Sequence, residues 1–509
     1  MAEGEAAQRE IVEFLSDPAT HDGAEVCTIE THASRIFLAG NMAYKLKKAV
    51  TYPYLDYGDA GKRRHFCEEE IRINRRTAPA LYNDLLAVTR EADSRLALGG
   101  EGEAIDWLVP MRRFDNDCLL DRIAGRGEMD DLLCRDVADA IFAFHGAEPA
   151  VVQDEPVAAV RRTATGISEE LRRHGADVFD MDLASRVTAA WDSLLKRHDG
   201  LIEARARGGN VRHLHGDLHL RNIVVIEGRP TLFDAIEFDP EIAEIDTLYD
   251  LAFLIMDLLH RDHRDNANRV LNRYLGLSED YEGLPLLALF VSLRAGIRAH
   301  TTASQSGEEN RREARAYLEL ADAVLAPARP RLICVGGASG SGKSTAAAAV
   351  APDLGGPAGA IILRSDVVRK RIYGMHPEEP LPEKAYRSEV SEKVFNRLAT
   401  MSSAVIDAGL PVIADAVFGS EKNAAPFREL ARKSGIPLEG FWLTAPEEVL
   451  LRRVRSRTND ASDADETVLR RQLRGVNSPA GWASVDASGS PEDSARGLSV
   501  ALEIAGQKD

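Results

Sequence analysis

At 509 residues, with 44% hydrophobic and 28% charged side chains, the chain has material for two or three domains and falls outside the disordered and fibrous classes. A formal net charge of −18 repels phosphate backbones and anionic lipid on average, which counts against nucleic-acid and membrane partners. Five scattered cysteines with no C-x-x-C pair exclude a disulfide framework and a zinc motif, and make a reducing cytosol the expected home.

The first segment, MAEGEAAQREIVEFL, is acidic and lacks the basic-then-apolar order of a secretory signal. Residues 35–39 and 42–47 read as a strand hairpin joined at Gly40-Asn41, followed by a helix over 63–76 and a strand over 104–111. From residue 129 the pattern turns helical: 132–145, 167–174 and 183–198 carry apolar residues at three- and four-residue spacings. Residues 216–240 interrupt it with loops and two short strands, 223–226 and 231–233. The apolar stretches 248–259 and 284–294 are short and broken by charge, so buried helices are expected there rather than membrane spans.

A long helix is expected over 308–325. The stretch Leu325-Ala-Pro-Ala-Arg-Pro330 then places two prolines where they break that helix, so a domain boundary is expected near 328. Beyond it, strands at 332–335, 360–363, 411–414 and 438–443 alternate with helical stretches, the pattern of a parallel α/β sheet. The expected domains are 1–328 and 329–509.

The strongest local signal lies in the second of these. Gly337, Ala338, Ser339, Gly340, Ser341, Gly342, Lys343 and Ser344 fit G-x-x-x-x-G-K-[ST] directly after an apolar strand, and Thr345 continues into a helix. Chance produces the pattern in roughly 2% of chains this long, before the strand and helix context is counted. Glycines let backbone N–H groups converge on phosphate oxygens, and the helix adds its positive dipole end. Lys343 supplies a charge to the β- and γ-phosphates, and the Ser344 hydroxyl is a Mg²⁺ ligand. Arg364-Ser-Asp-Val-Val-Arg369 follows the next strand, which puts Asp366 at the ligand crevice as a base, with Arg369 one turn on to steady a phosphate. Asp415, ending a later strand, is placed for the metal or the substrate. Arg453 and Arg457 share a helix face suited to a lid over the transferring group.

This constellation resembles the P-loop kinases related to polynucleotide 5′-kinase, zeta-type toxins and chloramphenicol phosphotransferase, over about residues 331–475. The resemblance implies that Asp366 is the catalytic base, Arg369 a phosphate-positioning group, and Arg453 and Arg457 the lid pair.

In the first domain His215-Gly-Asp-Leu-His-Leu-Arg-Asn222 fits H-G-D-x-x-x-x-N, which chance yields in about 0.2% of such chains. The spacing presents one carboxylate, Asp217, to a substrate hydroxyl and one amide oxygen, Asn222, to a metal on the triphosphate. Phe233-Asp-Ala-Ile-Glu-Phe238 supplies a second metal ligand, Asp234, after a strand. His215 is expected to serve structure, and His213 and His219 read as ordinary polar loop residues.

These residues resemble the aminoglycoside phosphotransferase superfamily, with its choline kinase-like and fructosamine kinase-like members, over about residues 25–300. That implies a bilobal, protein-kinase-like α+β fold, with an N-lobe over about 1–110 and a C-lobe over about 111–328. Met42-Ala-Tyr-Lys45 is similar to the V-A-I-K strand, so Lys45 is the candidate for the phosphates, with Lys47 the competing choice on the same face. Glu68, Glu69 and Glu70 are its candidate partners, and Glu70 is preferred because it also buries Ile73 one turn on. Residues 107–111 resemble the hinge strand between lobes. Two departures stand out: the phosphate-covering loop Thr31-His-Ala-Ser34 has no glycine, and the Asp234 motif lacks the glycine of D-F-G. The fused order resembles bacterial proteins described as bifunctional aminoglycoside phosphotransferase/ATP-binding proteins.

The expected activity is transfer of the γ-phosphoryl group of ATP, with Mg²⁺, to hydroxyls of small molecules at two sites. The alternatives are a P-loop unit acting as an ATP sensor for one kinase-like activity, and a carboxy-terminal polynucleotide 5′-kinase. Acceptor specificity is expected in the helical part of the first domain and in the insert 374–386.

Overall fold

The computed structural model describes residues 8–31, 33–52, 55–456 and 461–506, and packing divides the chain into two units. The first comprises Met1–Ala159 with Ile202–Leu254, the second Val160–Leu201 with Ile255–Asp509.

The first unit is built on strands β1 (Val26–Glu30), β2 (Ser34–Ala39), β3 (Met42–Lys47), the small ladder β4 (Thr51–Tyr52) and β5 (Leu55–Asp56), β6 (Leu86–Arg90), β7 (Leu96–Leu98) and β8 (Glu103–Arg112). The six long ones form an antiparallel sheet in the order β1-β2-β3-β8-β6-β7. Alternation along β3 sorts its side chains between two cores. Leu46 packs with Phe37, Val88 and Leu108 beneath Ile11 and Leu15 of the helix Arg9–Ser16. Ala43 packs on the other face with Cys67 and Ile71 of the helix Ala60–Asn74, and Lys45 and Lys47 share that side. Asp59 caps this helix, accepting from Lys62 N at 2.8 Å. Further on, β9 (Val211–His213) pairs with β12 (Glu244–Asp246) and encloses the hairpin β10 (Ile223–Ile226) and β11 (Arg229–Leu232). Its tight turn places Glu227 and Gly228 at φ 51° and 76°.

In the second unit Trp191 of the helix Met181–Arg197 is fully buried and donates to Ser292 Oγ at 2.7 Å. A Cβ on Gly296 would come within 2.7 Å of that ring, so the close helix approach requires glycine. The parallel sheet consists of β13 (Leu332–Gly336), β14 (Ile361–Arg364), β15 (Val412–Asp415), β16 (Leu438–Thr444) and β17 (Ala483–Asp486), ordered β14-β15-β13-β16-β17. Every residue of β13 is buried, as a strand covered on both faces demands. The chain leaves β13 for an edge, returns beside it, then crosses to the other side, which opens a ligand crevice at the carboxyl ends. Val335 and Arg364 both register with Asp415, so three strand ends are level at that crevice. The proline stretch 325–330 lies within this unit, and the helix Arg264–Ser278 ahead of it packs on β14. Among the described residues no helix is long and apolar enough to cross a membrane.

Candidate active sites

In the first unit, the β3 lysines meet the helix Ala60–Asn74 across one carboxylate. Lys45 Nζ lies 2.8 Å from Glu70 Oε1, and Lys47 Nζ lies 2.6 Å from Glu70 Oε2. Glu68 and Glu69 instead pair with Arg64 and Arg72 on the exposed side of the helix. The two lysines part beyond Glu70. Lys45, 14% exposed, reaches Asp234 Oδ1 at 2.7 Å. Lys47, 1% exposed, pairs with Glu237 and donates to Tyr57 OH at 3.2 Å, while Tyr57 OH donates to Glu237 at 2.7 Å. Burial opposes both lysine charges, yet the facing carboxylates outweigh it and hold both well above the ordinary lysine range. Burial likewise works against the Glu70 charge, but Lys45 and Lys47 pull its carboxyl down to about 2.

The loop from His215 to Asn222 is pinned at both ends. Asp250 accepts from His215 N at 3.2 Å and Gly216 N at 3.0 Å, and His145 lies on the same carboxylate at 3.2 Å. Gly216 has φ 78°, and a Cβ there would press on Ile242 O at 3.3 Å, which accounts for glycine in the motif. His215 is buried; its Nε2 donates to Phe233 O at 2.9 Å, and burial holds the ring's pKa below the ordinary histidine value. Asn222 Nδ2 donates to Asp217 Oδ2 at 2.9 Å, leaving its amide oxygen for a cation. Phe233 N donates to Asn222 O at 3.0 Å, which brings the Asp234 segment against the loop. Asp234 sits at φ 60°, a costly conformation for a residue with a Cβ, and its N–H is held by Tyr82 OH at 3.1 Å. His219, expected as an ordinary loop residue, lies 3.3 Å from Asp217 Oδ2.

In the second unit the P-loop follows β13. Gly337 (φ 141°) would place a Cβ 2.6 Å from Leu443 O, and Gly342 (φ 83°) turns the chain into the helix Lys343–Val350. The loop opens on a cavity of about 540 Å³ that Lys343, Ser344, Thr345, Asp366, Arg369 and Asp415 all line. Ser344 Oγ donates to Asp415 Oδ2 at 2.5 Å, and Lys343 donates to Ala338 O at 3.0 Å. Burial raises the Asp366 carboxyl above its ordinary value; Asp415 adds to this, and Arg364, Lys343 and Arg369 pull against it. Arg369, 7% exposed, donates to Ala385 O at 2.7 Å and stacks on the Tyr386 ring, leaving a buried Nε with no hydrogen-bond partner. Arg453 donates to Ala487 O and Gly489 O at 2.9 and 2.6 Å, beside Gly342. Arg457 lies outside the described residues, as does His32 of the phosphate-covering loop.

Sequence reading missed several groups here. Gln472 Oε1 accepts from Ser339 N at 2.8 Å, and Asp463 ties Lys370, Leu381 N and Tyr386 OH at 2.7, 3.0 and 2.5 Å. Neither residue belongs to a spacing pattern, so no local signal marks it. Glu237 stands three residues after Asp234, inside the quoted motif, and a search for a second buried carboxylate there would have found it.

Among the described residues no group of three or more His, Cys, Asp or Glu is placed to hold a metal. Ser344 and Asp415 are hard oxygen donors in contact, and Asn222 and Asp234 are hard oxygen donors on segments joined by the Phe233 N to Asn222 O bond. Such sets fit Mg²⁺, which takes its remaining ligands from water and phosphate.

Residues 332–479 match the family model described as an AAA domain. An uncharacterized protein of Mycobacterium tuberculosis is 29% identical over 446 residues, spanning 86% of this chain and 87% of that protein. Among solved structures, the GDP complex of aminoglycoside 2′-phosphotransferase-IIIa is 14% identical, covering 62% of this chain and 99% of that one with a TM-score of 0.41. A gluconokinase from Sinorhizobium meliloti is 22% identical, covering 36% and 99% with a TM-score of 0.26. The first unit is an antiparallel sheet with a helix against each face, and residues 332–479 form a P-loop domain by strand order and family match.

Proposed function

We propose that this chain, a protein-kinase-like region (1–328) fused to a P-loop domain (329–509), is a cytosolic ATP-dependent phosphotransferase. Each site passes the γ-phosphoryl group to a hydroxyl of a small molecule. One observation carries the reading: Asp366 opens on the same cavity as Lys343 and the Ser344–Asp415 pair. A site that only binds nucleotide needs no further carboxylate, whereas phosphoryl transfer needs a group to take the proton of the attacking hydroxyl.

In the second unit the P-loop amides and Lys343 hold the phosphates, and Ser344 and Asp415 hold Mg²⁺. Bound Mg²⁺ neutralises charge on the phosphate oxygens. Asp366 accepts the acceptor's proton, Arg369 steadies the transferring group, and Arg453 closes over it. In the first unit Lys45, set by Glu70, meets the phosphates, Asn222 and Asp234 hold the cation, and Asp217 accepts the proton. His219, 3.3 Å away, orients that carboxylate.

The test is calorimetric titration of a Mg²⁺-loaded non-hydrolysable ATP analogue, with product analysis, on wild type and Lys343→Ala. The expected outcome is two equivalents of nucleotide falling to one, with loss of one class of phosphorylated product. If Lys343→Ala retains every product, the second unit is a sensor and the two-site reading fails.

A further inference from the structure

The helix Arg264–Ser278 precedes the proline seam, yet one polar stripe of it ends on the P-loop sheet. β14 is an edge strand, and an edge leaves backbone N–H and C=O groups unpaired. Asn272 meets that edge as a neighbouring strand would: its Oδ1 accepts from Ile362 N at 2.6 Å and its Nδ2 donates to Ala360 O at 3.2 Å. Asn268, one turn back and 1% exposed, donates to Ala358 O at 2.6 Å and Ala360 O at 3.0 Å. Arg264, another turn back, donates to Pro352 O and Gly356 O at 2.6 and 2.9 Å. Residues four apart share a helix face, so the three act as one row.

The same helix also holds the insert. Arg273 makes a two-pronged ion pair with Glu378 at 2.8 and 3.1 Å, and His376 lies 2.7 Å from that carboxylate. From there the chain runs to Ala385, whose carbonyl accepts from Arg369, and to Tyr386, whose ring lies 5.0 Å from the Arg369 guanidinium. Both routes therefore end in the cavity: β14 delivers Asp366, and the insert delivers the wall around Arg369. A merely apolar cover would bury the edge without fixing register. Buried amides and a bidentate pair impose direction as well as contact.

We propose that the helix Arg264–Ser278 is a positioning element of the P-loop site, with Asn272 setting the strand that leads into Asp366 and Arg273 setting the acceptor wall. Sequence lying before the seam thus completes a site lying after it. The turnover part of this inference rests on the proposed phosphotransfer at the P-loop site; the positioning part does not.

The experiment uses the full chain carrying Asp217→Asn, so that label from γ-labelled ATP enters a metabolite extract through the P-loop site alone. Adding Arg273→Ala is expected to cut labelling about tenfold, less than the roughly 10²-fold cost of a 1 Å misplacement, since Asn272 still holds β14. Affinity for a non-hydrolysable ATP analogue stays within about twofold, and amide exchange over 374–387 quickens while that of β13 does not. The charge-swapped pair Arg273→Glu with Glu378→Arg restores labelling. Unchanged labelling with unchanged exchange overturns the proposal, as does joint loss of labelling and analogue binding without rescue. If the Asp217→Asn parent itself yields no label, the two-site reading fails instead. Exchange over 374–387 then decides the positioning claim: faster supports it, unchanged overturns it.

Discussion

Lys45 in the first unit already holds Glu70 and Asp234, and its neighbour Lys47 is sealed between Glu70 and Glu237. Lys343 in the second unit donates to a carbonyl of its own loop, on the wall of an open cavity. The first site is a web of opposite charges that must stay balanced for the fold to hold. The second is a backbone loop whose turns rest on Gly337, Gly340 and Gly342 at positive φ. Lysine is thus locked into ion pairs at one site and set on a cavity wall at the other.

The largest expected effects concern the two carboxylates proposed as bases. Asp217→Asn and Asp366→Asn are each expected to lower turnover at their own site by about 10²–10⁴-fold, with nucleotide affinity within a few-fold. Single-turnover kinetics beside analogue titration checks both; comparable losses of binding would make the carboxylates nucleotide ligands rather than bases.

One substitution made twice sharpens the contrast between the lysines. Lys47→Met leaves Glu70 and Glu237 buried with less compensation and is expected to cost about 3–5 kcal/mol. Lys343→Met is expected to cost less than about 1 kcal/mol of stability while abolishing nucleotide binding at its site. Urea unfolding followed by amide exchange in each unit reads the two; equal costs would erase the distinction.

The pH response should differ in sign. Glu70 is held at about 2 against an ordinary 4.5, so its contribution to stability is complete above 4.5 and is lost as pH falls toward 2. Asp366 is raised above its ordinary 3.8, so it opposes folding once ionised: the penalty is absent below 3.8 and grows as pH rises through the raised value. Asp366→Asn should therefore stabilise the second unit at pH 7 and change nothing at pH 3, whereas Glu70→Gln should destabilise the first unit at pH 7 and do so less near pH 2. Thermal melts of the full chain across that range follow both. The smallest expected change is in the acid limb of turnover at the second site, which should lie above the ordinary aspartate value because burial raises Asp366.

How much of this was legible follows from sequence distance. The P-loop, Asp217 with Asn222, and the strand ends at Asp366 and Asp415 are local patterns, and backbone geometry needs those residue types at those spacings. β1 escaped because its residues are mostly exposed and do not alternate, and β6 and β7 because short half-buried strands carry little signal. The Lys47–Glu237 pair joins residues 190 apart, and Gln472 meets Ser339 across 133. No spacing rule reaches that far. Nothing in the spacing of Arg264, Asn268 and Asn272 sets them apart from a solvated helix face, and only the sheet edge gives the row meaning.

Labelling a metabolite extract with γ-labelled ATP, using wild type, Asp217→Asn, Asp366→Asn and the double variant side by side, tests the two-site proposal most directly. Each single variant should lose a different labelled product and the double variant should lose both. A product pattern from Asp366→Asn identical to wild type would contradict it.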